Sequence, residues 1–399
     1  EASMTDTNSK IIYTKTDEAP ALATQSFLPI IKRFIKEANI GIELKDISLA
    51  SRIMSNFNDY IGEEHKTVDI IEFSQNNKNR KWLLTFIDKV LNKFFSLPFY
   101  MSRLVSSKNY KKLKKTDELF LVNESVGCSA LPLLIMLRIF SKTNISLFVM
   151  GLYSKKIKYS SMKRAHFLII KMLILFVDNV IFLGKAEMER ASSIHKKNKK
   201  KFTYIPFSID TEFWKNNENL DLSKNEKIIF VGNDGNRDFD LVLNLISIMK
   251  DQKFIVVSSS DKFNTLDNPN VELFKGFWGC EDLSDEHLKN LYSSSTLTLI
   301  PLEESYQPSG QSVALQSMSL GIPVLITNTS GFWDKEEFID NQNIFFIEDN
   351  NPNKWASKIS LISNDQNHLQ KVAKNAKNTV TRNYGLDSFY NKLLKLIKV

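Results

Sequence analysis

From Val68 onward the chain alternates short, continuously apolar runs with longer segments of helical period. Strands apolar on both faces need cover on both faces, so the pattern points to parallel sheets sandwiched between helices. The runs are VDIIEF, ELFLVN (Glu118–Asn123), ISLFVM, KIIFVG (Lys227–Gly232), FIVVSS, VELFKG, TLTLIP, IPVLIT and NIFFIE. Between them the spacing predicts helices over Trp82–Phe95, Leu131–Phe140 and Lys185–Lys201, the last ending in a basic loop. A polar stretch, NNENLDLSKN (Asn216–Asn225), suits a linker. The chain has 399 residues, enough for two domains. The expected architecture is α/β: two doubly wound, Rossmann-like domains facing a cleft.

The longest apolar stretch is Phe167–Leu183, FLIIKMLILFVDNVIFL. It reaches bilayer length only with Lys171 and Asp178 inside it, which is costly in hydrocarbon. A buried helix, a break at Asp178–Asn179 and a buried strand fit it better. Two cysteines, Cys128 and Cys280, make neither a disulfide framework nor a CxxC pattern, and five scattered histidines form no zinc signature. With acids at Asp6, Asp17 and Glu18 and no basic-then-apolar start, the expected setting is cytoplasmic.

The net charge of +8 gathers at Lys155–Lys171 and at Lys196–Lys201, KKNKKK. Each run reads either as a solvated face or as attraction to an anionic membrane surface or phosphorylated substrates, placing the chain at the inner face of a membrane. No zinc-finger, RNP-type or basic-zipper pattern accompanies the charge, so nucleic acid is not an expected partner.

Two stretches carry chemistry. IIFVG runs into Asn233, Asp234, Gly235, Asn236 and Arg237, then into a helix with Phe239, Val242, Leu243 and Ile246 on one face. Gly232 and Gly235 at such a strand-to-helix turn let backbone amides face an anion, and Arg237 can clamp a diphosphate with two donors. In the second, Pro308, Ser309 and Gly310 precede the helix Gln311–Leu320, offering amides and hydroxyls from Ser309, Gly310, Gln311 and Ser312. Gln316 lies further along and can bond sugar hydroxyls. Each stretch also reads as a plain capped turn in a βαβ unit.

Ile228–Tyr384 resembles the donor domain of glycosyltransferase family 4, the retaining GT-B group 1 enzymes. FVGNDGNRDFDLVL, LFKGFWG, LYSSSTLTLIPLEES, PSGQSVALQSMSLGIPVLIT and NIFFIEDNNPNKWASKI carry the resemblance in order. Upstream, VDNVIFLGKAEMERA and YIPFSIDTEFW look like the crossover into that domain. The resemblance implies transfer from a nucleotide-sugar such as a UDP- or GDP-sugar to a glycan or lipid-linked acceptor, in polysaccharide biosynthesis. It implies retention without a covalent intermediate, and no metal or other cofactor. The family's phosphate-binding pair falls on Asn233 and Arg237, of which only Arg237 keeps the charge. Its paired glutamates fall on Pro308 and Gln316, and Met150–Gly151 stands where its first-domain histidine is expected. Lys275 is the substitute cation, with Arg237 the other catalytic residue.

SKIIYTKTDEAPALATQSFLPIIKRFIKEANIGIELKDISLASRIMSNF, near the start, resembles the N-terminus of monomeric NADP-dependent isocitrate dehydrogenase, and the match stops near Phe57. The expected division is therefore residues 1–57, a fragment of that kind; 58–210, the acceptor domain; 211–225, a linker; and 226–399, the donor domain. The fragment reads as strand, helix, strand: Ile11–Tyr13 and Ile42–Leu44 are expected to be parallel strands completing the first sheet, with Phe27, Ile31 and Phe34 facing it. Against glycosyl transfer stand two other readings: a sugar-nucleotide-binding module without turnover, motivated by Asn233 and Pro308, and an isocitrate dehydrogenase in name only, without that enzyme's machinery.

Overall fold

The structure is a computed structural model, and it describes residues 11–15, 42–46, 69–70, 82–94, 99–154, 157, 160–216, 221–275 and 283–396. The first lobe holds a parallel seven-stranded sheet of order β3-β2-β1-β4-β5-β6-β7. Its strands are β1 (Ile11–Lys15), β2 (Ile42–Asp46), β3 (Asp69–Ile70), β4 (Glu118–Leu121), β5 (Asn144–Val149), β6 (Asn179–Phe182) and β7 (Phe202–Tyr204). Its helices are α1 (Trp82–Phe94), α2 (Met101–Leu104), α3 (Ser107–Leu113), α4 (Glu124–Phe140), α5 (Ser160–Phe176) and α6 (Lys185–Ile194), followed by a 3₁₀ turn, Lys196–Lys201.

The second lobe has a parallel sheet of order β10-β9-β8-β11-β12-β13. It is built from β8 (Lys227–Val231), β9 (Lys253–Val257), β10 (Val271–Phe274), β11 (Ser295–Ile300), β12 (Val324–Thr327) and β13 (Phe345–Ile347). Around it lie α7 (Phe239–Ile248), α8 (Asp285–Ser293), α9 (Gln311–Ser319), α10 (Pro352–Asn364), α11 (Gln366–Asn383) and α12 (Leu386–Leu394). The alternation of apolar runs and helical segments is thus the alternation of the fold. Buried β4, β5, β11 and β12 are covered throughout their length, as their unbroken apolar character requires.

The segment resembling another enzyme supplies β2 and β1, the second and third strands from one edge of the first sheet. β1 pairs in parallel with β2, Ile11 opposite Ile42, and with β4, Ile11 opposite Glu118. Phe27, Ile31 and Phe34, expected to face the sheet, lie outside the described residues, as does Cys280.

Two helices depart from expectation. α4 starts at Glu124 rather than Leu131, because the Asn123 side chain accepts a hydrogen bond from Val126 N (2.9 Å) and caps it. Its first turns are rich in small residues, which hides the helical period. Gly127 there sits where a Cβ would stand 3.0 Å from both Leu147 and Leu173, so the small residue sets how closely α4 approaches β5 and α5. α5 ends at Phe176 and β6 begins at Asn179, either side of the expected break. The helix is not buried all round, however: Leu168 and Leu175 are 57% and 62% exposed. None of the described helices is long and apolar enough to cross a membrane.

The last helix crosses back to the first lobe, where the Phe389 ring stacks on Phe148 (6.3 Å between centroids) and Leu396 O accepts from Asn144 Nδ2. At the end of α6, His195 stacks on Phe167 (5.4 Å) and lies against Tyr153. Burial, reinforced by the Lys171 charge, holds its pKa below the ordinary 6.5. A base with a depressed folded pKa is bound by more protons when unfolded, so its contribution to stability is present above pH 6.5 and lost as pH falls through that value. The melting temperature should decline below pH 6.5, and a His195→Gln variant should decline less over that interval; parallel profiles would remove His195 as the cause.

Candidate functional site

In open parallel sheets, ligands bind beyond the carboxyl ends of strands where the strand order reverses direction. In the second lobe that point lies between β8 and β11, since β9 and β10 follow on one side of β8 and β11, β12 and β13 on the other. Both turns singled out from the sequence begin there.

After β8, Gly232 N still bonds Val257 O (3.1 Å). Asp234 then turns the chain, its Oδ1 accepting from Asn236 N (2.9 Å), and Asp238 caps α7 by accepting from Leu241 N (2.9 Å). The Arg237 side chain folds back over Gly232, so closely that a Cβ on residue 232 would lie 2.7 Å from Nε. The need for glycine at 232 is therefore to make room for the arginine. The side chain of Arg237 is 2% exposed, and its Nε and Nη1 have no hydrogen-bond partner among the described residues. Nη1 lies 3.2 Å from Asp234 Oδ2, an ion pair without hydrogen-bond alignment. A buried guanidinium with idle donors is costly unless an anion completes its shell.

After β11 the chain reaches Gly310, which is left-handed (φ 82°) and starts α9 with no side-chain cap. The first amides of α9 are thus left for another acceptor, on a helix end that favours negative charge. A Cβ at 310 would meet Ile300 Cγ2 at 2.8 Å. Gly310→Ala is expected to lose roughly 1–2 kcal/mol through the left-handed backbone alone. Equilibrium urea unfolding measures it, and an unchanged midpoint would show that this turn relaxes freely.

The two turns are joined. Asn236 Nδ2 donates to Ser309 Oγ (2.9 Å), Glu303 N to Asn236 O (2.9 Å) and Asp238 N to Pro301 O (3.1 Å). Asn350 braces them from behind, donating to Asp238 Oδ2 and Leu302 O (2.9 Å each) while accepting from Thr327 Oγ1 (2.8 Å). Gln316, 2% exposed on α9, keeps an Oε1 acceptor without a partner. Two buried donors and one buried acceptor thus have no partner among the described residues, in elements that the Asn236–Ser309 bond joins.

The remaining residues divide. Gly235 is exposed with open space around it, and Ser312 is half-buried in the first turn of α9. Asn233 is turned toward β9, its Oδ1 accepting from Ser259 N (2.6 Å). The Gln311 side chain bonds Leu183 O of the first lobe (2.7 Å), leaving only its backbone amide for the turn. Lys275 is exposed at the end of edge strand β10, two strands out from β8. Pro308 packs against Gly184, where a Cβ would be 3.0 Å from its own Cβ.

The facing wall comes from the first lobe. Glu187 Oε1 accepts from the amides of Gly151 (3.0 Å) and Leu152, and Glu124 from that of Met150 (3.3 Å), which shapes the turn after β5. Ser154 Oγ from that turn reaches Gln307 Oε1 at 3.5 Å. Below the cleft, Asp334 Oδ2 accepts from the phenols of Tyr204 (3.1 Å) and Tyr384 (3.2 Å), and Oδ1 pairs with Lys185 Nζ (2.8 Å). Burial first, then neighbouring Asp334 for Tyr204, and burial, Tyr204 and Asp334 for Tyr384, push both phenol pKa values up and keep them neutral. Asp334, Asn350 and buried Tyr292, whose phenol feels the Arg237 charge, were not legible as site residues, since each sits in an ordinary loop or helix pattern. Among the described residues no three His, Cys, Asp or Glu side chains gather as a metal site.

Residues 210–379 match the family model of glycosyl transferases group 1, and residues 10–80 that of monomeric isocitrate dehydrogenase. The second match is local: the chain is 55% identical over 64 residues to isocitrate dehydrogenase [NADP] 2 of Psychrobacter sp. (strain 13A), spanning 16% of this chain and 9% of that protein. Solved structures of similar fold span nearly everything. A glycosyltransferase from Rickettsia africae ESF-5 covers 98% of each chain at TM-score 0.66 and 14% identity. Anabaena Alr3699/HepE, solved in complex with UDP and glucose, covers 97% of this chain and 98% of its own at TM-score 0.68 and 11% identity. The chain therefore has the fold of the GT-B glycosyltransferases, with residues 210–379 matching glycosyl transferases group 1 and an isocitrate-dehydrogenase-like segment built into its first sheet.

Proposed function

We propose that this enzyme transfers a sugar from a UDP- or GDP-sugar to a glycan or lipid-linked acceptor, with retention and without a metal. The observation that carries the reading is the junction of the two turns, with Arg237 buried beneath it and two of its donors idle. The donor's diphosphate would take the first amides of α9 and, with the Arg237 side chain turned out from its enclosed place over Gly232, the guanidinium's donors, and a ribose hydroxyl would reach the enclosed Gln316 Oε1 by a similar local shift. As the bond to the sugar breaks, negative charge grows on the diphosphate, and the same preorganised donors hold it. Residues 226–399 serve the donor and 58–210 the acceptor, the Met150–Ser154 turn lying across the cleft. Asn233, Gly235, Ser309, Gly310, Gln311 and Ser312 shape the donor side, while Lys275 at the same rim is the second cation. The UDP and UDP-glucose of the Alr3699/HepE structures support a uridine nucleotide.

A sugar-nucleotide-binding module without turnover is the second reading, favoured by Pro308, an uncharged residue wedged against Gly184 where the family has a glutamate. Incubation with a panel of sugar nucleotides separates the two. Release of nucleoside diphosphate, undiminished by EDTA, is expected, with the anomeric proton of the product sugar matching that of the donor by NMR. Binding without release under every acceptor tried favours the module, loss of release in EDTA overturns metal independence, and an inverted anomer overturns retention.

A further inference from the structure

We propose that the outward face of α5, with the end of α4 and the Lys196–Lys201 turn beside it, is a docking surface for an anionic lipid bilayer. The inference does not depend on the donor site.

α5 buries His166, Ile170, Leu173 and Ile174 against its lobe. A surface helix ordinarily turns polar residues outward. Here the outward face carries Arg164, Leu168, Lys171, Met172 and Leu175 at helical spacing, apolar and cationic side chains together. The stripe continues onto the last turn of α4, where Ile139 is 66% and Phe140 57% exposed. The two helix ends are tied, because Arg138 donates through Nε to Phe176 O (2.8 Å) and pairs through Nη2 with Asp178 (2.5 Å).

The basic turn is seated on the same helix. Lys201 Nζ donates to the carbonyls of Ile174, Leu175 and Val177 (3.0, 3.0 and 2.7 Å), capping the end of α5. At its other end His195 stacks on Phe167. Lys196, Lys197, Lys199 and Lys200 are consequently held exposed along the apolar stripe. No acid occurs in residues 131–142, 160–176 or 194–201. Lys163 and Arg164 stand near the start of α5, where the helix dipole disfavours cations, so helix stability does not account for them.

Charge selects the occupant. A second copy docked through the same patch would set lysine against lysine across a two-fold axis. An anionic bilayer meets every one of these charges with its opposite, accepts the apolar side chains at the headgroup boundary and lets Lys171 extend to the phosphates. With no described helix able to span the bilayer, the attachment is peripheral.

Co-sedimentation of the full chain with vesicles of phosphatidylcholine plus phosphatidylglycerol, and of phosphatidylcholine alone, tests this. Partition onto the anionic vesicles is expected to exceed that onto neutral ones by about tenfold or more and to weaken as salt rises. Two variants, Leu168→Ser/Met172→Ser/Leu175→Ser and Lys196→Gln/Lys197→Gln/Lys199→Gln/Lys200→Gln, should each lose most of that binding with an unchanged circular dichroism spectrum. If the serine variant fails to fold, the glutamine variant carries the test alone. Equal partition onto both vesicles, wild-type binding by the folded variants, or a dimer of the wild-type chain that the substitutions dissolve would overturn the proposal, the last by assigning the face to a second copy.

Discussion

Arg237→Ala is expected to weaken donor binding or transition-state stabilisation by about 2–3 kcal/mol, roughly 30- to 160-fold in affinity or kcat/KM. The size follows from losing charge-assisted bonds to a diphosphate in a buried position, where the guanidinium is only 2% exposed. The same burial predicts a split between binding and stability. Because Nε and Nη1 have no hydrogen-bond partner among the described residues and the Asp234 carboxylate paired with Nη1 is 28% exposed, replacing the side chain with Met removes a buried charge that is only partly compensated and should leave the melting temperature unchanged or raised. Arg237→Lys should recover only part of the affinity, since a lysine cannot bond two phosphate oxygens in a fixed fork. Unchanged donor affinity and turnover in the alanine variant would remove Arg237 from the site.

Asp334→Ala is expected to destabilise the chain by about 3 kcal/mol, lowering the melting temperature by roughly 3–5 °C. One carboxylate, 3% exposed as a residue, holds a lysine and a tyrosine of the first lobe and the tyrosine that ends α11. Its loss strands two phenols and leaves Lys185 to the exposed Glu336 at 2.7 Å and to the Tyr204 ring, whose centroid is 5.5 Å from Nζ. The figure stays at the low end for a buried pair because Lys185 is 26% exposed and its ion pair is partly screened. Asp334→Asn should cost less, since its amide oxygen still accepts from one phenol. A melting temperature within a degree or so of wild type for Asp334→Ala would show that the lobes are held together elsewhere.

What the sequence revealed and what it hid differ by the range of the interaction. Strand positions follow from local apolar runs, and Gly232, Arg237, Ser309 and Gly310 stand out because tight turns demand particular residues locally. That these two turns meet depends on sheet order, 73 positions apart at Asn236 and Ser309, and no local period encodes it. The burial of Arg237 over Gly232, the diversion of Gln311 to Leu183 and the hub at Asp334 are likewise contacts between distant segments. The apolar face of α5 misled for a further reason: periodicity reports which residues are apolar, and on both sides of this helix they are, so the pattern reads as burial where half of it meets the outside. The two strands of the segment of foreign resemblance were readable because parallel strand pairing asks for little beyond β-branched, apolar side chains, while the helix expected between them lies outside the described residues.

Isothermal titration of the unmodified chain with UDP, GDP and their glucose derivatives tests the central claim most directly. One nucleotide should bind at a single site per chain, and Arg237→Ala should abolish most of the heat at the same concentrations. Absence of binding by every nucleoside diphosphate and sugar nucleotide, from a chain whose circular dichroism and melting are those of a folded protein, would contradict the donor site formed by Gly232–Arg237 and Ser309–Gln316.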